Sequence, residues 1–154
     1  MSERPLDLDG TDLEIVELLR ANARRTLADI AGRVSLSAPA VKRRIAQLER
    51  LGVIVGYTAE IDHAKLGRPI EAFTELRFAG DTKVADIKGV AAGMPEVQAL
   101  YTTAGDPDAL VRIRVRDLAD LTRVIDRLRR SGRITGTKTL MVLDTLTPTA
   151  PLDR

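Results

Sequence analysis

Residues 37–52 read SAPAVKRRIAQLERLG, and the reading of this stretch decides the fold of the first half of the chain. Val41, Ile45 and Leu48 recur at helical spacing, so a helix over this segment has one apolar face. Ser37 is a good N-cap. Pro39 is tolerated in a first turn whose N–H groups have no helical partner, and Gly52 ends the helix. With the apolar stripe turned inward, the opposite face carries Ala38, Pro39, Lys42, Arg43, Ala46 and Gln47, with Arg44 and Arg50 toward the flanks. Small residues at the helix start permit close approach to a surface, and the cations after them suit phosphates and guanine edges.

Upstream, TLADIAGR (26–33) reads as a short helix with Leu27, Ile30 and Ala31 inward, and Thr26 and Asp29 spaced like a capping box. Val34, Ser35 and Leu36 form the turn between the two. DGTDLEIVELLRAN (9–22) reads as a first helix, capped by Asp9 or Thr11, with Leu13, Ile15, Val16, Leu18 and Leu19 supplying its apolar residues. Two short helices joined by a turn of three residues are a helix-turn-helix, here inside a three-helix unit. Charge agrees with that reading. The whole chain of 154 residues carries 24 bases and 22 acids, yet residues 18–52 hold eight bases (Arg20, Arg24, Arg25, Arg33, Lys42, Arg43, Arg44, Arg50) against Asp29 and Glu49. A local excess of six positive charges is the footprint of a phosphate-backbone reader, and Arg24 and Arg25 sit ahead of the second helix where flanking backbone would pass.

The pattern then changes. VIVGYTAEI (53–61) reads as a strand, followed by a polar hinge to residue 69. EAFTELRFA (71–79), VQALYTT (97–103), ALVRIRV (109–115) and TGTKTLMVLDTL (135–146) read as strands. KVADIKGVAAGM (83–94) and DLADLTRVIDRLRRS (117–131) read as helices, with Val84, Ile87, Ala91 and Met94, and Leu118, Leu121, Val124, Ile125 and Leu128, inward. The order is β-α-β-β-α-β, a ferredoxin-like split βαβ. The expected fold class is α+β. It comprises a helix-turn-helix domain over 1–52, a strand and hinge over 53–69, a ferredoxin-like domain over 70–148 and a tail over 149–154.

The run IAGRVSLSAPAVKRRIAQLERLGVIVGYTAEID (30–62), together with TTAGDPDALVRIRV (102–115), resembles the Lrp/AsnC (leucine-responsive, feast/famine) family of transcriptional regulators, and the resemblance extends over roughly residues 6–147. It implies a DNA-binding regulator, with double-stranded DNA met by Arg25, Ser37, Ala38, Pro39, Lys42, Arg43, Arg44 and Gln47. It also implies a homodimer that joins into tetramers or octamers on a pseudo-palindromic operator, its recognition helices about 34–36 Å apart or a multiple. One departure stands out: Ser35 occupies a turn position where the family usually has Gly, at a cost of about 1 kcal/mol if a positive φ is kept.

The resemblance places an amino-acid effector at the turn between the two central strands and the start of the last one. In this chain those positions are Gly105, Asp106 and Asp108, with Thr135 and Thr137 opposite and Tyr101 and Thr103 on the wall. A carboxylate such as Asp108 suits an α-amino group, and backbone N–H groups near Gly105 suit a carboxylate. VRIRVR (111–116) alternates strictly, so one face of the sheet is left to water or to a partner sheet, with Phe73, Tyr101, Met141 and Leu143 as neighbouring apolar residues.

Several classes are excluded. With no Cys and one His, His63, thiolate chemistry, disulfides and His-rich metal sites have no ligands. No nucleophile elbow, phosphate loop or cofactor motif is found, so no enzyme activity and no cofactor are expected. The opening residues lack a signal peptide's apolar run, and nothing approaches the ~20 apolar residues of a membrane span, so a cytoplasmic protein is expected. Two alternatives remain: an architectural protein that wraps DNA without strong sequence preference, and an enzyme resembling siroheme decarboxylases. The absence of any His after residue 69 speaks against the second.

Overall fold

The computed structural model describes residues 7–145; the tail expected over 149–154 and the last residue of the strand expected over 135–146 lie outside them. The chain divides into two compact units between Glu60 and Ile61, each considered by itself.

The first unit holds α1 (Gly10–Ala21), α2 (Leu27–Arg33) and α3 (Ala38–Arg50). Each begins at a side-chain cap. Asp9 accepts from the Asp12 N–H, Thr26 from the Asp29 N–H and Ser37 from the Ala40 N–H. Ile15, Leu19, Ile30, Ala31, Val41 and Leu48 form one aliphatic core, with Ile45, Val53 and Ile54 packed against it. Complete burial of a side chain such as Leu48 contributes roughly 1.5–3 kcal/mol. Leu13, expected inside, is 53% exposed, because it lies about 200° around α1 from Ile15. Leu27, Val84 and Leu118, also expected inside, are exposed, and each is the first residue of its helix.

Two turns end in left-handed backbone. Gly52, at φ 71°, closes α3: the Val53 N–H donates to the Leu48 carbonyl at 2.9 Å and the Gly52 N–H to that of Glu49. Ser35, at φ 55°, does the same for α2, with the Leu36 N–H donating to the Ala31 carbonyl at 3.0 Å. The strand expected over 53–61 does not form. A strand needs a neighbouring backbone, and among the described residues no chain pairs with this one. Val53 and Ile54 instead bond to the Leu48 carbonyl, and Val55 is 93% exposed.

The second unit is a four-stranded antiparallel sheet in the order β2-β3-β1-β4, with α4 (Val84–Ala92) and α5 (Leu118–Arg129) on one face. Its strands are β1 (Ile70–Phe78), β2 (Val97–Thr102), β3 (Ala109–Val115) and β4 (Ile134–Met141). β4 therefore stops five residues short of the expected end. Register assigns the faces. Ala72, Leu76, Val111, Ile113 and Val115 point to the helices, with Ile87, Met94, Leu121, Val124 and Leu128 opposite them. Thr74, fully buried on that face, has its hydroxyl 3.1 Å from that of Thr139. The other face carries Glu71, Phe73, Glu75, Leu110, Arg112, Arg114, Tyr101 and Leu140. Met141, expected beside Phe73 and Tyr101, pairs with Ala72 and so lies on the helix side; Leu140 takes its place.

Ser35 is the only non-glycine with positive φ among the described residues. We expect Ser35→Gly to raise the stability of the helical unit by about 1 kcal/mol, read as a higher urea midpoint with an unchanged slope.

Candidate nucleic-acid interface and effector end

The exposed side of α3 is set by its buried side. Val41 and Leu48 are sealed in the core, so Ser37, Pro39, Lys42, Arg43, Ala46 and Gln47 face solvent, with Ala38 half-buried at their edge. The side chains of Lys42 and Arg43 make no ion pair or hydrogen bond with any described residue; neither do those of Arg24 and Arg50, although the Arg24 backbone N–H donates to Asn22 Oδ1. Four of the eight bases in this region are thus available to an outside anion.

The other four are engaged, and two of those were expected at the DNA. Arg44 donates to Asp9 and to Asp12, each at 2.7 Å, which ties the middle of α3 to the start of α1. Arg25, 13% exposed, donates to Asp29 at 2.7 Å, and Arg33 reaches the same carboxylate from the other side at 3.2 Å. Arg20 pairs with Glu17. Arg44 and Arg25 thus each hold carboxylates of their own unit. The signals were present in the sequence: Arg25, Asp29 and Arg33 repeat at four-residue spacing, and Asp9 and Asp12 stand at the mouth of α1.

The electrostatics follow these contacts. The Asp12 N–H, and then the Arg44 guanidinium, hold Asp9 below the usual carboxylate range. Arg25, and then Arg33, do the same to Asp29. Arg44 is pushed up by its hydrogen bonds to Asp12 and Asp9. Sequence reasoning gave no role to Tyr57. Its hydroxyl donates to Glu49 on α3 at 2.8 Å, and partial burial and that carboxylate both raise its pKa.

In the second unit, the residues expected around an effector split into two groups. β1 and β4 shift register between Arg77 and Phe78, and the shift is held from both sides. The Thr135 hydroxyl donates to the Arg77 carbonyl at 3.2 Å, and the Phe78 N–H donates to Asp108 Oδ2 at 2.7 Å. Asp106, on the β2–β3 turn, accepts from Arg77 Nε at 2.7 Å. Gly105, in the same turn, has φ 135°. The Thr103 hydroxyl donates to the Pro107 carbonyl within that turn. Asp106, Asp108 and Thr135 thus converge on the Arg77–Phe78 irregularity, and Gly105 lies in the same turn as the two carboxylates. Tyr101 and Thr137 do not join them. Tyr101 lies on the open face of the sheet, half-exposed, and the Thr137 hydroxyl, on the helix side, accepts from Arg129. Arg77, which nothing in the sequence singled out, is the hub of this end. Its pKa is raised by Asp106 first, then by Glu75 and Asp108.

A three-helix unit with a cationic outer helix, followed by this sheet, matches two family models. One describes winged helix-turn-helix DNA-binding and covers residues 8–55; the other describes an Lrp/AsnC ligand binding domain and covers residues 71–152. The chain belongs to the Lrp/AsnC family of transcriptional regulators.

Among its relatives is the HTH-type transcriptional regulator Rv2324 of Mycobacterium tuberculosis, 34% identical over 144 residues, covering 94% of this chain and 97% of that protein. Another is the regulator LysM of Saccharolobus solfataricus, 32% identical, covering 90% of this chain and 96% of that one. The solved structure of a Neisseria meningitidis transcriptional regulator in complex with L-Met superposes with a TM-score of 0.84 at 27% identity, covering 95% of this chain and 97% of that one. Like its relatives, this Lrp/AsnC protein is an HTH-type transcriptional regulator with a ligand-binding domain. No helix among the described residues is long and apolar enough to cross a membrane.

Asp9 has a folded-state pKa below its unfolded value of about 3.9, so its stabilising contribution is complete above that value and is lost as pH falls through the folded one. Asp9→Asn is expected to lower the melting temperature at pH 7, with the gap from the parent protein closing as pH falls through the lowered folded-state pKa. Melts between pH 2.5 and 7 read this directly.

Proposed function

We propose that this regulator grips double-stranded DNA with the outer face of α3, where Ser37, Ala38, Pro39, Lys42, Arg43 and Gln47 enter or border the major groove. The carrying observation is the division of labour among the cations. Lys42 and Arg43 are exposed and unpaired among the described residues, while Arg44 and Arg25 are committed to their own unit. Each Lys or Arg that neutralises a phosphate lowers the slope of log K against log salt by about 0.9.

We further propose an amino-acid effector at the Arg77–Asp106–Asp108–Thr135 end of the sheet. The support is an arrangement of the Arg77 guanidinium on β1, the Thr135 hydroxyl on β4, and two carboxylates with the Gly105 backbone on the β2–β3 turn. This composition suits a zwitterion. The partner sheet of a homodimer would cover the face bearing Phe73, Tyr101, Leu110 and Leu140, which α4 and α5 leave bare. Dimers would join into tetramers or octamers on a pseudo-palindromic operator, and the protein would work in the cytoplasm without enzyme activity. An effector shifts DNA affinity only through its differential affinity for two such arrangements.

Replacing both Lys42 and Arg43 by Ala is expected to weaken binding to a mixed-sequence duplex and to reduce the salt slope by about 2, if both meet phosphates. An unchanged slope overturns the assignment. Arg44→Ala should instead lower the melting temperature. For the effector, a thermal-shift screen against the twenty amino acids is expected to find at least one that stabilises. Asp106→Ala should weaken that ligand about tenfold or more, the value of a hydrogen bond to a charged group. Calorimetry showing an unaltered Kd rejects the site. Asp106 is the cleaner probe, because Asp108 also holds the Phe78 N–H.

A further inference from the structure

At the end of the second unit's sheet remote from the Gly105 turn lies a recess of about 280 Å³, lined by Arg68, Glu96, Arg114, Arg116, Asp120 and Arg123. It draws on the segment before β1, the segment before β2, the end of β3 and the first turns of α5. Four guanidiniums face one small volume against two carboxylates. Asp120, 5% exposed, is already saturated: Arg116 Nε donates to its Oδ2 at 2.6 Å and Arg116 Nη2 to its Oδ1 at 3.1 Å, and Arg123 contacts that same Oδ1.

The remaining donors are poorly used. Arg114 spends one nitrogen on Glu71 Oε2, at 2.5 Å, while its Nε is buried with no partner. Arg68 makes a single long bond of 3.4 Å to the Pro95 carbonyl. Glu96 neutralises none of them: no described cation approaches within ion-pair distance of its carboxylate, and its Oε2 is buried without a partner. Like charges held around one volume repel, and a guanidinium has five N–H donors to place. Here donors outnumber acceptors, and formal charge in the recess is +2 from four Arg, one Glu and one Asp.

We propose that this recess binds a small phosphate-bearing molecule, at a site separate from the amino-acid effector site. A dianion matches the excess charge, and guanidiniums arriving from three directions suit a tetrahedral oxyanion better than a planar carboxylate. The volume sits just under the roughly 300–1,000 Å³ of drug-sized ligand pockets, which fits free phosphate or a phosphotriose and excludes a nucleotide. The Glu96 carboxylate can accept a hydrogen bond from a hydroxyl group, which hydrogen phosphate and a phosphorylated polyol both carry.

The test is isothermal titration of the full chain with inorganic phosphate and with glycerol 3-phosphate, at ionic strength matched by chloride. At least one is expected to bind saturably, at one site per chain. Tighter binding of the ester assigns the recess to an organic phosphate, and equal or tighter binding of the inorganic ion assigns it to free phosphate; either supports the site. Arg68→Gln combined with Arg123→Gln should weaken binding tenfold or more, and Arg68→Gln alone, which removes only one long hydrogen bond, should weaken it measurably without lowering the melting temperature in chloride. Heats no different from those of matched chloride, or affinity unaltered in both variants, overturn the proposal. Amino-acid binding measured in the same variants is expected to be unchanged, so failure here and failure of the effector site are separable.

Discussion

The helix α3 is constrained on two sides at once, and the first unit depends on both constraints. Inside, Val41 and Leu48 are immobilised by the core. At its middle, Arg44 is clamped between two carboxylates of α1. Rotation of the helix by even a quarter turn would expose a leucine and break both ion pairs. The azimuth of Lys42 and Arg43 is therefore set by the buried side of the helix and by Arg44. Surface ion pairs are individually weak, generally below about 1 kcal/mol. Their value here is directional: together with the core they select one rotation of the helix.

The second unit solves a different problem. A flat ladder between β1 and β4 would carry every side chain past the end of the sheet in strict alternation. The irregularity at Arg77 and Phe78 breaks that alternation, and Asp108 and Thr135 occupy the backbone groups it frees. Bulges commonly re-aim side chains beside functional sites. The same two residues that fit an effector role by composition are thus also the residues that hold the turn in shape. On the proposed effector site, ligand contact and local order would be coupled through them.

The sequence was informative where periodicity and local chemistry act alone. All three N-caps of the helical unit, the turn at Ser35, the stop at Gly52 and the span of β3 could be read from residue type and spacing. What failed needed partners that a linear reading does not supply. The strand over 53–61 has the right composition, but strands are defined by a neighbour. Leu27, Val84 and Leu118 have helical spacing, but spacing does not say where the packing surface ends. The ion pairs of Arg44 and Arg25 with carboxylates of their own unit were likewise not foreseen. Among the effector residues, alternation alone could not say that Thr137 faces the helices and Tyr101 the opposite side, since register decides faces.

The Leu48 carbonyl accepts from the N–H groups of both Val53 and Ile54. The chain leaving α3 is accordingly pinned to that helix's own last turn, with its two leading side chains packed against the same aliphatic cluster. There is no slack at this exit. A pull or twist delivered at residues 53 and 54 is carried as torque into the rod bearing Lys42 and Arg43, and a soft swivel joint at this point would have dissipated it.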